Sequence, residues 1–69
     1  MNKTYSVDTW FERDRASVIV YEGEIGEKVV VEWWDEEVQE LVEDGFLNPR
    51  DWEGSAIEYC KELGLIKNK

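Results

Sequence analysis

The sequence predicts an α+β fold in which a three-stranded antiparallel β-meander is followed by two C-terminal helices packed on one face (βββαα). The first half of the chain contains three segments with alternating apolar residues or many β-branched residues, a pattern typical of strands. The second half repeats apolar residues at helical spacing. Short connections join the three strand segments, and such strands most simply form a meander. We expect residues 1–69 to form a single small acidic domain.

The first two strands are predicted from different apolar patterns. Residues 3–11 carry apolar or β-branched side chains at every second position, which indicates a strand with one buried face. Residues 16–21 (ASVIVY) are apolar on both faces and predict the central strand. The pattern leaves open which pair of the central strand faces the core, Val18 with Val20 or Ile19 with Tyr21.

The third strand is predicted over residues 28–34, after a connection whose Gly23 and Gly26 suit a chain reversal. Alternation assigns five side chains of the first and third strands to the face that carries the helices: Val7, Phe11, Val29, Val31 and Trp33. It assigns three apolar side chains to the opposite face: Trp10, Val30 and Trp34. A three-stranded sheet with helices on one side leaves that opposite face open.

The apolar period changes from two to 3.6 after the third strand, which predicts a first helix. Asp35 is the expected N-cap of this helix. Its apolar stripe consists of Val38, Leu41 and Val42. Gly45 and Phe46 have the positions of the C′ and C″ residues of a Schellman motif, in which Phe46 would contact Leu41.

Asn48 and Pro49 predict the N-cap and the first residue of a second helix. Leu47 and Trp52 have the spacing of a hydrophobic staple around this helix start. Apolar side chains then repeat at helical spacing and end in a terminal apolar anchor: Trp52, Ala56, Tyr59, Cys60 and Leu63, then Leu65 and Ile66. An alternative interpretation starts the helix at a capping box formed by Ser55 and Glu58, and makes residues 49–52 a separate single turn before it.

The formal net charge of −9 is concentrated in residues 22–44, which hold ten acidic residues and one basic residue, while the chain on either side is neutral. This charge opposes direct binding to nucleic acid or to anionic membranes. No apolar segment approaches the roughly 20 residues of a spanning helix, and the amino terminus lacks the apolar region of a signal peptide. Cys60 is the single cysteine and has the spacing of a small buried residue. Because a lone cysteine suits a reducing compartment, we expect a cytoplasmic protein.

The sequence offers little for catalysis or for cofactor binding. It contains no histidine and one cysteine, so it lacks both the commonest general base and the ligands of a thiolate or imidazole zinc site. No glycine-rich phosphate loop is present, and the acidic residues 35–37 lack the spacing of an EF-hand. Catalysis by paired carboxylates would require a concave pocket that holds two of them. We predict a non-enzymatic protein without a cofactor.

One part of the acidic segment has no evident structural role. On a helical wheel, Glu36, Glu40 and Glu43 lie opposite the apolar stripe, and Asp44 follows at the carboxyl end. Two pairs among them are like-charged at i,i+4 spacing, which destabilises a helix. The row is interpreted either as a solvated helix surface or as a docking surface for a basic protein.

The specific form of the docking interpretation is a phage-type inhibitor or regulator whose carboxylates mimic nucleic acid on a basic nucleic-acid-binding protein, an analogy from charge and size. Trp34 and Trp10 on the open face are candidate apolar anchors, unless loops cover them. The alternative function is a homo-oligomeric structural or accessory module, such as a homodimer, that associates through the second face of the sheet. The candidate partner-binding residues are Glu36, Glu40, Glu43, Asp44, Trp34 and Trp10.

Overall fold

Three strands followed by two helices make up the computed structural model, which describes residues 4–66. The strands are β1 (Tyr5–Glu12), β2 (Arg15–Glu22) and β3 (Lys28–Trp34), and the helices are α1 (Glu36–Glu43) and α2 (Trp52–Glu62). This order confirms the predicted βββαα arrangement. The predicted start of the first strand at Lys3 lies outside the described residues. Neither helix within residues 4–66 is long and apolar enough to cross a membrane.

The sheet is an antiparallel meander in the order β1-β2-β3. Val18 pairs with Thr9 on β1 and with Trp33 on β3, and paired residues share one face of a sheet. Val18 is fully buried and Trp33 nearly so, so the helices cover this face, which we call the inner face. The core contains Val20 as well, together with five residues that follow the sheet in sequence: Val38, Leu47, Ala56, Cys60 and Ile66. The central strand therefore turns Val18 and Val20 toward the core.

A β-bulge in β3 reverses the roles predicted for Val29 and Val30. The β2–β3 register shifts between Val20 and Tyr21, so that Val29 pairs with Tyr21 and Val30 is the extra residue. Val29 is 44% exposed, whereas Val30 is half-buried and packs against the core. The placement of Val29 inside and Val30 outside by regular alternation is therefore wrong, because the bulge advances the alternation of side chains by one residue.

Asp35 precedes α1 as predicted, but its side chain does not cap the helix. The residue has φ 51° and makes no side-chain capping hydrogen bond. Its carboxylate instead accepts a hydrogen bond from the backbone N–H of Ala16 at 3.0 Å. Asp35 is therefore the N-cap residue by position, as predicted, but its carboxylate bonds to β2 and not to the first N–H groups of the helix.

Helix α1 ends in the predicted Schellman motif. Gly45 has φ 86°, and its N–H donates to the carbonyl oxygen of Val42 at 3.1 Å. The N–H of Phe46 donates to the carbonyl oxygen of Leu41 at 2.9 Å, which is the second hydrogen bond of the motif. The ring of Phe46 stacks on Tyr59 of α2, with ring centroids 4.6 Å apart, so the motif also directs the chain toward the second helix.

Helix α2 begins at Trp52 rather than at Pro49. Asp51 is the N-cap, and its carboxylate accepts a hydrogen bond from the N–H of Gly54 at 3.0 Å. Asn48 belongs to a turn, in which its side chain accepts from the backbone N–H two residues later at 2.9 Å. The helix runs without a break through Gly54, so both the predicted start at Asn48 and the alternative start within the helix are wrong.

The apolar residues after α2 divide between the core and the solvent. Ile66 is buried and belongs to the core. Leu63 and Leu65 are each about half exposed. Only Ile66 of the predicted terminal anchor therefore reaches the core.

Candidate partner-binding site

The acidic row consists of the four carboxylates predicted to bind a partner: Glu36, Glu40, Glu43 and Asp44. On the same helix, Val38 is buried, and Leu41 and Val42 are half-buried against the core. At 3.6 residues per turn the acidic row lies on the opposite side of α1, and all four of its residues are exposed. The structure thus brings the predicted carboxylates together on the solvent side of the helix.

Within residues 4–66, no basic residue pairs with the acidic row. The ion pairs of this part of the chain join Arg15 to Asp35 at 3.3 Å and Lys61 to Glu58 at 3.7 Å. Glu43 accepts a hydrogen bond from the side-chain amide four residues before it at 3.2 Å, which leaves its negative charge in place. The last turn of α1 contains no basic residue either.

The two predicted aromatic anchors lie on the sheet face opposite the helices, which we call the outer face. Trp10 on β1 and Trp34 on β3 both pair with Ser17 on β2. Trp10 is 45% exposed and Trp34 is 42% exposed, whereas Ser17 is only 3% exposed. Because the small serine lies between two indoles, the rings shield it while they keep exposed surface of their own.

A second row of the outer face consists of Asp8, Ile19 and Glu32. Its two acidic residues are exposed, and neither makes an ion pair with another described residue. Oε1 of Glu32 accepts a hydrogen bond from the indole Nε1–H of Trp34 at 2.8 Å. These carboxylates are not among the predicted binding residues, although each lies two residues before an exposed tryptophan and alternate residues of a strand share a face.

The six predicted residues form two separate surfaces. The acidic row belongs to α1, whose buried stripe packs on the inner face with Val18 and Val20. Trp10 and Trp34 lie on the outer face, on the other side of the sheet. One flat contact surface cannot include both groups.

An open depression of about 620 Å³ lies between the β1–β2 turn and the start of α1. Its lining includes four carboxylates and two guanidinium groups: Glu12, Asp14, Asp35, Glu36, Arg13 and Arg15. The hydrogen bond from the N–H of Ala16 lowers the pKa of Asp35 below its ordinary value; burial acts in the opposite direction and Arg15 adds to the lowering. A carboxylate that is held ionised in this way is poorly suited to donate a proton.

Among the described residues, Cys60 has the side chain with the greatest potential as a nucleophile, and it lies in the core. Its side chain is fully buried, and burial raises the pKa of its thiol. The residue therefore matches the predicted small buried side chain. Within residues 4–66, no group of three or more cysteine or acidic side chains is placed to hold a metal ion.

Comparison with protein-family models, with curated proteins and with solved structures gave no match to this chain. The acidic row and the outer face are therefore the starting points for assigning a function.

Proposed function

We propose that this protein acts by binding a basic protein through the acidic row of α1. The observation that carries the proposal is the exposure of all four carboxylates on the side of α1 that faces away from the core. Because no described basic residue pairs with them, their field extends into the solvent. Such a field attracts and orients a positively charged surface and accelerates its association.

The acidic row reduces the stability of the helix that carries it. Glu36 with Glu40, and Glu40 with Asp44, are like-charged pairs at i,i+4 spacing, each of which costs about 0.2–0.5 kcal/mol in a helix. Glu43 and Asp44 lie at the carboxyl end of α1, where the helix dipole disfavours negative charge. A basic partner would convert this repulsion into attraction, which supports a role for the row in binding.

The density of charge on α1 favours a partner that itself binds nucleic acid. The helix has four glutamates in eight residues, and eight residues span about 12 Å. This is about one negative charge per 3 Å, close to the roughly 3.4 Å per phosphate along one strand of duplex DNA. The protein would then act as a regulator or inhibitor that occupies a nucleic-acid-binding surface, a role that requires no catalysis.

Affinity capture at two salt concentrations tests the proposal. The immobilised protein should capture basic proteins at about 50 mM salt and release them at about 500 mM salt, because screening weakens contacts between exposed charges. Added duplex DNA should release the same proteins at low salt. Glu40→Lys combined with Glu43→Lys should abolish their capture without loss of folded structure by circular dichroism.

A charge-matched control separates the acidic row from net charge. Glu53→Lys combined with Glu62→Lys changes the net charge of the chain by the same amount at exposed positions of α2. This control should retain capture. Capture that survives in the α1 variant, or that is lost equally in both variants, would refute a docking role for the acidic row.

A further inference from the structure

The outer face combines aromatic and acidic side chains in two adjacent rows. Trp10 and Trp34 flank Ser17 in one row, and Asp8 and Glu32 have the corresponding edge positions in the next. Residues two apart on a strand are separated by about 7 Å, so each indole has a carboxylate beside it. On β3 the two groups are in contact, through the 2.8 Å hydrogen bond from Nε1–H of Trp34 to Glu32.

This combination is chemically suited to an arginine side chain. The face of an indole attracts a cation, and a planar guanidinium stacks on it while donating hydrogen bonds to a neighbouring carboxylate. Glu32 keeps acceptor sites besides the one that Trp34 uses, because an ionised carboxylate has about four lone-pair positions. Arg15, the basic residue at the start of β2, is already bonded to Asp35 at 3.3 Å, so its guanidinium is directed away from the outer face.

We propose that the outer face binds an arginine side chain of a partner protein, with the guanidinium against the exposed indoles of Trp10 and Trp34 and hydrogen bonded to Asp8 and Glu32. This site lies on the other side of the sheet from the acidic row, and it does not depend on the function proposed for that row.

Charge complementarity selects a cationic occupant over a second copy of the chain. Two copies joined through their outer faces would each have a net charge of −9. They would also enclose Asp8 and Glu32 of both molecules in one interface, and the juxtaposition of like charges opposes association. An arginine neutralises the same carboxylates and uses the aromatic surface as well.

Titration of the full chain with two short peptides, followed by two-dimensional ¹⁵N–¹H NMR, tests the proposal. The probes are acetyl-Gly-Arg-Gly-amide and the same peptide with citrulline, which has nearly the shape of arginine without its charge. The arginine peptide should shift the indole N–H signals of Trp10 and Trp34 and the backbone signals of Asp8 and Glu32. The citrulline peptide should bind at least about tenfold more weakly.

Two substitutions at the site and one elsewhere provide the controls. Asp8→Asn combined with Glu32→Gln keeps the shapes of the side chains and should weaken arginine binding about tenfold or more. Trp34→Phe keeps an aromatic ring with a weaker attraction for cations and should weaken it about threefold. Glu53→Lys combined with Glu62→Lys on α2 changes the net charge by the same amount as the α1 variant and should leave the affinity within about threefold, because these residues lie beyond the sheet and outside the acidic row.

Three results would overturn the proposal. Equal binding of the arginine and citrulline peptides would exclude recognition of charge at the site. Loss of binding in the α1 variant alone would assign the peptide to the acidic row. A dimer that sedimentation velocity detects at high salt, and that dissociates on Trp34→Ala, would make a second copy of the chain the occupant. Since the α1 variant reports separately on the acidic row, failure of this proposal is distinguishable from failure of the proposed function.

Discussion

Asp35 and Ala16 are joined by two hydrogen bonds. The N–H of Asp35 donates to the carbonyl oxygen of Ala16 at 2.8 Å, and the N–H of Ala16 donates to Oδ1 of Asp35 at 3.0 Å. Together they extend the pairing of β2 with β3 by one residue, up to the start of α1. Asp35 has φ 51° there, a backbone conformation that costs energy for residues other than glycine. The bonds to Ala16 help to hold this conformation, and the Asp35 carboxylate makes one of the two.

The ionisation of the Asp35 carboxylate should make the free energy of unfolding depend on pH. Its pKa is lowered in the folded protein, chiefly by the N–H of Ala16. A group whose pKa is lower in the folded than in the unfolded protein stabilises the fold. This stabilisation is complete above the unfolded pKa, which is about 4, and is lost as the pH falls through the folded pKa. Asp35→Asn, which keeps the acceptor oxygen, should therefore show a smaller loss of unfolding free energy between pH 7 and pH 3 than the unmodified protein.

Urea unfolding at the two pH values measures this difference. The control is Asp14→Asn, which removes the same charge from the nearby β1–β2 turn. The Asp14 carboxylate makes no hydrogen bond or ion pair with another residue of the described range 4–66. Equal flattening of the pH dependence in both variants would show that net charge, and not the bond to Ala16, is responsible.

The β-bulge in β3 predicts that two adjacent valines respond differently to the same substitution. Val30→Thr places a hydroxyl against the core and should lower the free energy of unfolding by about 1–2 kcal/mol. Val29→Thr changes a half-exposed position of the outer face and should stay within about 0.5 kcal/mol. Because valine and threonine both favour strands, the comparison isolates burial. Urea denaturation measures both values, and a larger cost at Val29 would mean that the strand has no bulge.

The same bulge illustrates what the sequence could and could not predict. Strand and helix order followed from the apolar periods, and the Schellman end of α1 followed from Gly45, because a positive-φ glycine is a strong local signal. Regular alternation failed between Val29 and Val30. An extra residue in a run of three valines leaves no mark in composition, so only the pairing with β2 reveals it.

Competition between local and distant hydrogen-bond partners accounts for the remaining differences between the predicted and the observed helix starts. Asp35 has the residue type and position of an N-cap, yet its carboxylate accepts from Ala16 on another strand. Asp51 takes the capping role predicted for Asn48. For the candidate site, alternation correctly placed Trp10 and Trp34 on one face. The same alternation places Asp8 and Glu32 on that face, but only the pairing of both residues with Ile19 shows that they lie in one row.

Gly54 and Asp51 should be energetically coupled at the start of α2. Replacing glycine by alanine inside a helix usually gains about 1 kcal/mol. At Gly54, however, an added Cβ would lie 2.9 Å from the carboxylate carbon of Asp51 and closer still to one of its oxygens. The carboxylate would have to move and weaken its capping bond, which is worth about 1 kcal/mol. Gly54→Ala should therefore gain little in the unmodified protein.

A double-mutant cycle measures this coupling. In the Asp51→Ala background the obstructing carboxylate is gone, so Gly54→Ala should recover most of its usual gain. The free energies of unfolding of the four proteins should then show a coupling of about 0.5–1 kcal/mol. Strictly additive effects would mean that the carboxylate adapts to the new Cβ without losing its bond.

Cys60 should behave as a core residue and not as a reactive thiol. Its side chain is fully buried among Val18, Ala56 and the other core residues, and burial raises its pKa, so the folded protein offers almost no accessible thiolate. Reaction with a disulfide reagent at pH 8 should be at least about 100-fold slower in the folded protein than in urea, because it requires transient opening of the structure. Cys60→Ser should cost about 1–3 kcal/mol of stability, since it places a hydroxyl in an apolar site, while Cys60→Ala removes the thiol without adding a polar group. A folded-state reaction rate within about tenfold of the rate in urea would contradict burial of the thiol and would make Cys60 a candidate nucleophile.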